Sequence, residues 1–450
     1  MTVTPRRLAL IVLVIGLAAG IAFAEEGGST PSFGLGLGIG VQTFTDTIPP
    51  TTYQSLSLSP DLAFGKFGIG LAVTLNYRFT GSGIEVRLKD WWPQSPDPVT
   101  LQSVAAIYLP KIKYVRWGEK GDPLFVKLGS IDDATLGNGF IVSNYSNTLF
   151  LPEERHFGLN LDVDGSLFSF PYVGLETMVG NLAEFDVIGG RLYVRPLVGT
   201  SIPIVKNLEF GGTVAADTKP YLYRVPAGTA PAVVVFGGDV RLPILYLENV
   251  FSLVTFADVA STPAGASDRA WGGALGVAGK IFSFLTYGAQ MRVLGEDFIP
   301  TYFDATYDLL RDAKYDLTQA GGFADPTMGW LATLGTSFFD EKIIFRVTLD
   351  APFTGWTTNP MDLVKNPHLR GVFTIADGII PGISLDTSYD KSGITKWADL
   401  VSPLNAAIQA KLNYKSGPAV ISFVYKVRYD PSVPSQWVVT SGLESAIQLF

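Results

Sequence analysis

The chain has 450 residues, no cysteine, 48 glycines, 47% hydrophobic and 16% charged residues, and a formal net charge of −8. The apolar share excludes a disordered chain, while the charged share lies well below the roughly one quarter usual in soluble domains. Without cysteine there is no disulfide framework, thiolate metal site, cysteine nucleophile or lipidated N-terminal cysteine, and two histidines, His156 and His368, leave little for imidazole metal chemistry.

Residues 1–24 read as a cleaved signal peptide. Arg6 and Arg7 precede an apolar run from Leu8 to Ala19, and Ala22-Phe23-Ala24 offers small residues for cleavage ahead of Glu25 and Glu26. Removing this segment, which holds two arginines and no acid, leaves a net charge of −10, which argues against a nucleic-acid partner. The remainder, 25–450, holds no apolar run long enough for a spanning helix, so a membrane-embedded form requires a closed barrel. It reads as a single β-barrel domain.

From Phe33 the chain alternates with a period of two. Phe33, Leu35, Leu37, Ile39 and Val41 oppose Gly34, Gly36, Gly38, Gly40 and Gln42, which is a strand pattern. These glycines belong to a strand face where groups approach closely, not to a phosphate cradle. Phe67 to Phe79 repeats the alternation, with Gly81-Ser82-Gly83 as a tight reversal into Ile84, Val86 and Leu88. Between Gly129 and Asn147 glycines, asparagines and Asp132-Asp133 break the pattern. The oxygen spacing there is wrong for Ca²⁺, and a Gly-rich kink or short inward segment is expected. Alternation returns at Phe157–Asp164 and Ile343–Asp350, and again in 406–415 and 419–428, joined by a turn at Gly417-Pro418.

Charge sharpens the assignment. Across segments 66–79, 84–89, 156–164, 191–195, 208–214, 342–350, 383–388, 406–415 and 419–428, every charge lies on the non-apolar parity. The bases are Lys66, Arg78, Arg87, Lys89, Arg191, Arg195, Lys342, Arg346, Lys411, Lys415, Lys426 and Arg428. The acids are Glu85, Asp162, Asp164, Glu209, Asp350 and Asp386. A charge-free face over so many strands is what lipid contact requires, and Tyr77, Phe79, Trp91, Trp92, Trp117, Tyr389, Tyr414 and Trp437 near segment ends fit interfacial aromatics. A soluble sandwich would need neither.

On these residues the sequence resembles bacterial outer-membrane β-barrels of the porin kind, over essentially the whole mature chain and including a terminal Phe450. The apolar residues behind that terminus, Leu449, Ile447 and Leu443, sit on the opposite parity, a departure from the usual pattern. The expected fold is an all-β transmembrane antiparallel barrel. Spacing of roughly 20–27 residues per segment gives about 18 strands, in a range of roughly 16 to 20. Short connections at 80–83 and 416–418 are assigned to one rim, and 91–101, 217–232, 259–269, 295–327, 351–368 and 389–404 to the other.

The longest interruption, 295–327, places Phe303, Tyr307, Leu310 and Lys314 at helical spacing after Pro300. A helix in an external or infolded loop is expected, and Asp304, Asp308, Arg311, Asp312 and Asp316 are the candidate constriction residues. Candidate lumen-lining residues are Lys66, Arg78, Arg87, Lys89, Arg191, Arg195, Arg346, Lys411, Lys426, Arg428, Asp162 and Asp164.

No catalytic motif is found, and His156 reads as a histidine satisfied by its Glu154 and Arg155 surroundings. The expected partners are outer-membrane lipid, the barrel-assembly machinery and small solutes, with no cofactor and no metal. The leading function is an outer-membrane channel for passive or facilitated diffusion of small solutes. Its lumen parity carries twelve bases against six acids, which gives a weak anion preference. The mean hydropathy of +0.27 and small or apolar lumen-parity residues such as Ala72 and Ile344 keep open a route for hydrophobic compounds, and the long loops keep open a surface adhesin or structural barrel. The parity makes one direct prediction. Leu71→Arg should obstruct folding, because a midplane arginine on the lipid face costs about 2–4 kcal/mol, while Ala72→Arg is tolerated. Equal loss of refolding yield for the two would refute the face assignment.

Overall fold

The computed structural model describes residues 32–448 apart from 45–50, 82, 95–98, 151–154, 224–227, 266–267, 283, 340–341, 361, 363–364, 403, 418 and 430–436. The expected signal peptide, Glu154 and Phe450 lie outside the described residues. Twenty-two strand segments form one sheet, and all their pairings are antiparallel. The first seven are β1 (Ser32–Phe44), β2 (Thr51–Phe64), β3 (Phe67–Leu71), β4 (Val73–Thr80), β5 (Gly83–Val86), β6 (Ile112–Trp117) and β7 (Leu124–Gly129). The next eight are β8 (Gly158–Asp164), β9 (Val173–Val179), β10 (Val187–Val194), β11 (Glu209–Asp217), β12 (Val233–Leu247), β13 (Phe251–Ala264), β14 (Asp268–Ile281) and β15 (Leu285–Leu294). The last seven are β16 (Thr327–Phe338), β17 (Ile343–Pro352), β18 (His368–Ile380), β19 (Ile383–Lys391), β20 (Ala406–Ser416), β21 (Ala419–Tyr429) and β22 (Trp437–Gln448). Two helices interrupt them: α1 (Leu101–Tyr108) and α2 (Tyr307–Ala320).

Two staves of the wall are each built from two segments. β3 and β4 both pair with β2 in one continuous register, broken only at Ala72. On their other side β6 pairs with β3 and β5 with β4, so β5 and β6 are the two ends of a single stave interrupted by an insertion. The twenty-two segments therefore make twenty staves, an even number at the top of the expected range. β1 pairs with β22 from Gly34↔Gln448 to Ile39↔Leu443, which joins the first strand to the last. The sheet must curl back on itself in this way, because an open edge in hydrocarbon would leave a row of amide and carbonyl groups without partners.

The two faces follow the parity. Ile39, Val41, Trp271, Leu275, Phe423 and Leu443 stand exposed on the outside, and their neighbours point inward. Continuous register through Ala72 puts Leu71 with Phe67 and Ile69 outside and Ala72 with Gly70 and the buried Asn76 inside. Among the described residues, outward parity carries charge at Lys113, which occupies a bulge between β3 and β6, at Asp377 in the irregular end of β18, and at Arg269 and Lys391 near one rim. Arg269 lies 4.5 Å from the Phe236 ring centroid, beside Trp271, as an interfacial cation does.

One rim carries connections 65–66, 118–123, 248–250, 282–284, 339–342, 381–382 and 417–418, with the start of β1 and the end of β22. Its aromatic residues form part of a belt, with Phe284 stacked between Phe282 and Phe338 at 5.9 and 5.4 Å. The other rim carries the long connections 130–157, 218–232, 295–326, 353–367 and 392–405. Three expectations on connections need correction. The 80–83 reversal lies on the long-loop rim, opposite 417–418, because β4 and β5 form a hairpin that points that way. Residues 91–101 belong to the insertion within a stave. Most of 259–269 is strand, since β13 and β14 pair as far as Ala264↔Asp268.

A twenty-stave cylinder has a backbone diameter of about 40 Å, too wide for wall side chains to fill. Segments 130–149 and 295–324 fold into it. Ile131, Leu136, Phe140, Val142 and Tyr145 pack with Phe298, Ile299, Tyr302, Phe303 and Tyr307 in one buried cluster, against Met178, Val187, Ala215, Val235, Ala260 and Ala274 of the wall. The two segments also hydrogen-bond to each other, Phe303 N–H to the Ile141 carbonyl and Ser143 N–H to the Phe303 carbonyl, at 3.1 and 3.0 Å. The wall is small where this plug docks: a Cβ on Gly272 would stand 2.4 Å from the Phe298 ring, and one on Gly158 would meet Ile131 and Asn147 below 3 Å.

Candidate functional site

The interior has two unlike halves: the plug docked on β8–β15, and the uncovered inner face of β17–β21. Two arginines with their carboxylates mark where the plug meets the wall. Arg311, on α2, is 1% exposed and donates to Asp217 at 2.7 and 3.0 Å and to Asp186 at 3.1 Å. Tyr307 donates to the same Asp217 at 2.7 Å. Asp217 ends β11 and Asp186 precedes β10, so α2 is held to the wall at the long-loop ends of these strands. Arg191, on β10, is also 1% exposed and binds Asp239 at 2.6 Å, Glu209 at 2.7 Å and Glu176 at 3.2 Å. Glu176 in turn accepts from Gly137 N–H of the infolded segment at 2.8 Å. Buried ions in this arrangement hold only as sets, because removing one partner strands the others without water.

Asp308 completes the first set. Tyr145 donates to it at 3.3 Å, Arg311 lies 3.8 Å away and His156 lies 3.9 Å away. Burial, reinforced by the neighbouring Asp186 and Asp217 and opposed by Arg311 and His156, pushes the Asp308 carboxyl up to about 7. His156 is 2% exposed, stacks on Tyr223 and exchanges a hydrogen bond of 3.0 Å with its hydroxyl. Among the described residues it meets Tyr223 and Asp308, and Arg155 donates to Ser130 Oγ at 3.0 Å; the Glu154 part of the expectation lies outside the described residues.

The remaining acids of the loop are also largely committed. Asp304 pairs with Lys314 at 2.5 Å, Asp297 accepts from Phe323 and Ala324 N–H at 2.7 and 2.9 Å, and Asp316 accepts from Tyr221. Of the expected constriction residues, Asp308 and Arg311 are buried at the docking seam, Asp304 is neutralised by Lys314, and Asp312 and Asp316 lie on the less covered side of α2.

The expected lumen residues divide in the same way. Arg191 is buried beneath the plug, and Arg195 binds Asp164 and sits 3.6 Å from Glu209. Asp162 pairs with Lys120 at 3.0 Å and Arg78 with Glu85 at 2.8 Å, and Arg87 pairs with Asp90. Lys66 and Lys342 are in short-rim turns, and Lys89 is in a short 3-10 helix of the insertion, so these three are not wall positions. Arg346, Lys411, Lys426 and Arg428 share the inner parity of β17, β20 and β21. Sequence reasoning missed Arg370 on β18 between them. His368 bridges Asp350 and Asp390 on the same wall, at 3.2 and 2.8 Å.

The fold and its outer face, apolar apart from the few charges named above, define a transmembrane antiparallel β-barrel. No protein-family model matches the chain, and no curated protein matches it. Among solved structures it is similar to Pseudomonas aeruginosa OpdL, at 10% identity and a TM-score of 0.32 over 93% of this chain and 99% of that one. It is also similar to a BenF-like porin from Pseudomonas fluorescens, at 9% identity and 0.33 over 93% and 99%. Acinetobacter baumannii OccAB3 gives 12% identity and 0.30 over 93% and 98%. At such values the reading rests on the protein's own geometry.

The shifted carboxyl gives a prediction with a definite sign. A carboxyl near 7 in the folded protein and near 3.9 in the unfolded chain favours folding while it is protonated, and that contribution falls away as pH rises from about 4 to 7, then levels off. In detergent, wild type should lose stability relative to Asp308→Asn over that window, by on the order of 1 kcal/mol per pH unit, as read by thermal unfolding at fixed ionic strength. Parallel pH profiles for the two proteins would show that Asp308 is ionised throughout.

Proposed function

We propose that the protein is a diffusion channel for small solutes with a weak anion preference, exported by its 1–24 signal and inserted by the barrel-assembly machinery. The observation that carries this reading is the contrast between the two halves of the interior. The inner parity of β17–β21 bears Arg346, Arg370, Lys411, Lys415, Lys426 and Arg428 against Asp350, Asp386 and Asp390. Three acids of the infolded loop are held by other groups, Asp304 by Lys314, Asp308 beside Arg311 and Asp297 by backbone amides, while Asp312 and Asp316 lie on the less covered side of α2.

Bases lining a pore favour anions, and charges at the wide mouths are screened within about 8–10 Å at physiological salt. The basic wall therefore sets the sign. Small solutes pass between it and the plug, near Arg370.

In planar bilayers the purified protein should conduct, with a reversal potential in a KCl gradient on the anion-selective side. Replacing Arg346 and Arg370 by glutamine should move that potential toward the cation side. Cation selectivity in the intact channel, switching to anion selectivity when 301–320 is deleted, would instead assign the sign to the loop acids. Arg311→Ala, which leaves Asp186 and Asp217 without their cation, should weaken plug docking by about 3–5 kcal/mol and appear as larger, noisier single-channel conductance.

A further inference from the structure

One rung of the ladder crosses the inner wall near its long-loop end. It reads Arg370 on β18, Asp390 on β19, Ala407 on β20 and Arg428 on β21. Opposite charges placed across one rung, with Cβ atoms about 4.5–5.5 Å apart, ordinarily attract and pair. Arg370 and Asp390 do not bind each other. The buried Nη1 of Arg370 and the buried Oδ2 of Asp390 are both without a hydrogen-bond partner.

Asp390 is fixed from behind. It is 6% exposed, and its Oδ1 lies 2.8 Å from Nε2 of His368. The other ring nitrogen of His368 meets Asp350 at 3.2 Å, and Arg292 donates to Asp350 at 3.3 Å. This chain of contacts positions the carboxylate and occupies one of its oxygens, which leaves Oδ2 for a solute. On the next stave Ala407 offers only a methyl group. Beyond it the Arg428 guanidinium lies 5.0 Å from the ring centroid of Phe150, the residue that follows the infolded 130–149 segment. The rung is therefore one where the plug comes up against the open wall.

A donor and an acceptor side by side fit a group that accepts at one atom and donates at the next. A carboxylate on Arg370 would face Asp390, and an ammonium on Asp390 would face Arg370. A zwitterion would exchange the hydration of two charges for one hydrogen bond each, a poor return for a buried ion. A vicinal diol has no charge to desolvate. One of its oxygens accepts from Arg370 Nη1, and the adjacent hydroxyl donates to Asp390 Oδ2.

The wall below carries matching chemistry. Six residues along β19 from Asp390, Asn413 donates to Ser384 at 2.9 Å, and Ser422 donates to Asn413 at 2.6 Å. The middle of β1 and β2 faces inward with Gly36, Gly38 and Gly40 opposite Ser59, Ser57 and Ser55. Such a surface offers hydroxyl and amide groups without bulk or charge.

We propose that Arg370 and Asp390 form a subsite for a vicinal diol, and that the solutes this channel selects are small neutral polyols and saccharides. The subsite rests on the channel reading and names its solute class. The basic wall still sets the sign of the background ion current.

The test is the interruption of single-channel KCl current by myo-inositol, a ring of vicinal diols, in planar bilayers. Wild type should show concentration-dependent interruptions, with none from free glycine at equal concentration. Asp390→Asn keeps an acceptor for His368 and puts a donor in place of Oδ2, so it should raise the half-blocking inositol concentration about fivefold, as the loss of one hydrogen bond does. Ala407→Leu, which alters neither charge, should raise it as well by filling the adjoining space, and it carries the test should Asp390→Asn not refold. No interruption of a conducting wild type, interruption by glycine in place of inositol, or equal half-blocking concentrations in wild type and variants would each overturn the subsite. Absence of KCl current would overturn the channel reading instead. Inositol binding is then read by calorimetry on the detergent-solubilised proteins, where equal affinity of wild type and Asp390→Asn overturns the subsite and tighter binding by wild type supports it.

Discussion

Everything inside this protein answers to the width of its wall. A closed ladder satisfies the backbone in hydrocarbon, but twenty staves enclose far more space than their own inward side chains occupy. The chain fills half of that space with two of its own connections. It pins them with Arg311 and Arg191, each surrounded by carboxylates from both wall and plug. These sets contribute little net stability compared with apolar packing. Their effect is positional: a guanidinium shared among Asp186, Asp217 and Asp308 fits one docking of α2 and no neighbouring one.

In the proposed channel, that arrangement sets a basic inner wall over β17–β21 of an acidic chain. Several acids are held in the interior sets, on the buried Arg191 and Arg311, on Lys314 and, for Asp297, on backbone N–H groups. The bases of β17–β21 face the half that the plug leaves uncovered. Net charge therefore says little about selectivity here, because what a passing ion meets depends on where the charges sit and not on their sum.

The early end of β7 has a related origin. β7 stops at Gly129 because the chain must turn inward there to build the plug. The stave beside it then lacks a partner over its upper half, and the chain covers the gap with a helix-bearing insertion. Infolding and gap are two consequences of one turn.

Strand periodicity, the outward face and the existence of an inward segment near 129–147 were legible in the sequence, because lipid and ladder act on each residue locally. Leu71 and Ala72 are separated by parity alone, with no knowledge of their neighbours. The helix at 307–320 was legible for the same reason. The central strands β12–β16 were harder to read, since their inner positions are small where the plug docks, and Gly272 is unexplained until Phe298 is seen against it. Which charges pair was beyond the sequence altogether. Arg191 and Arg346 look alike on their strands, and Arg370 was overlooked beside His368. Only the docking of two distant loops buries the first and leaves the second facing water, because burial and pairing depend on contacts between segments more than a hundred residues apart.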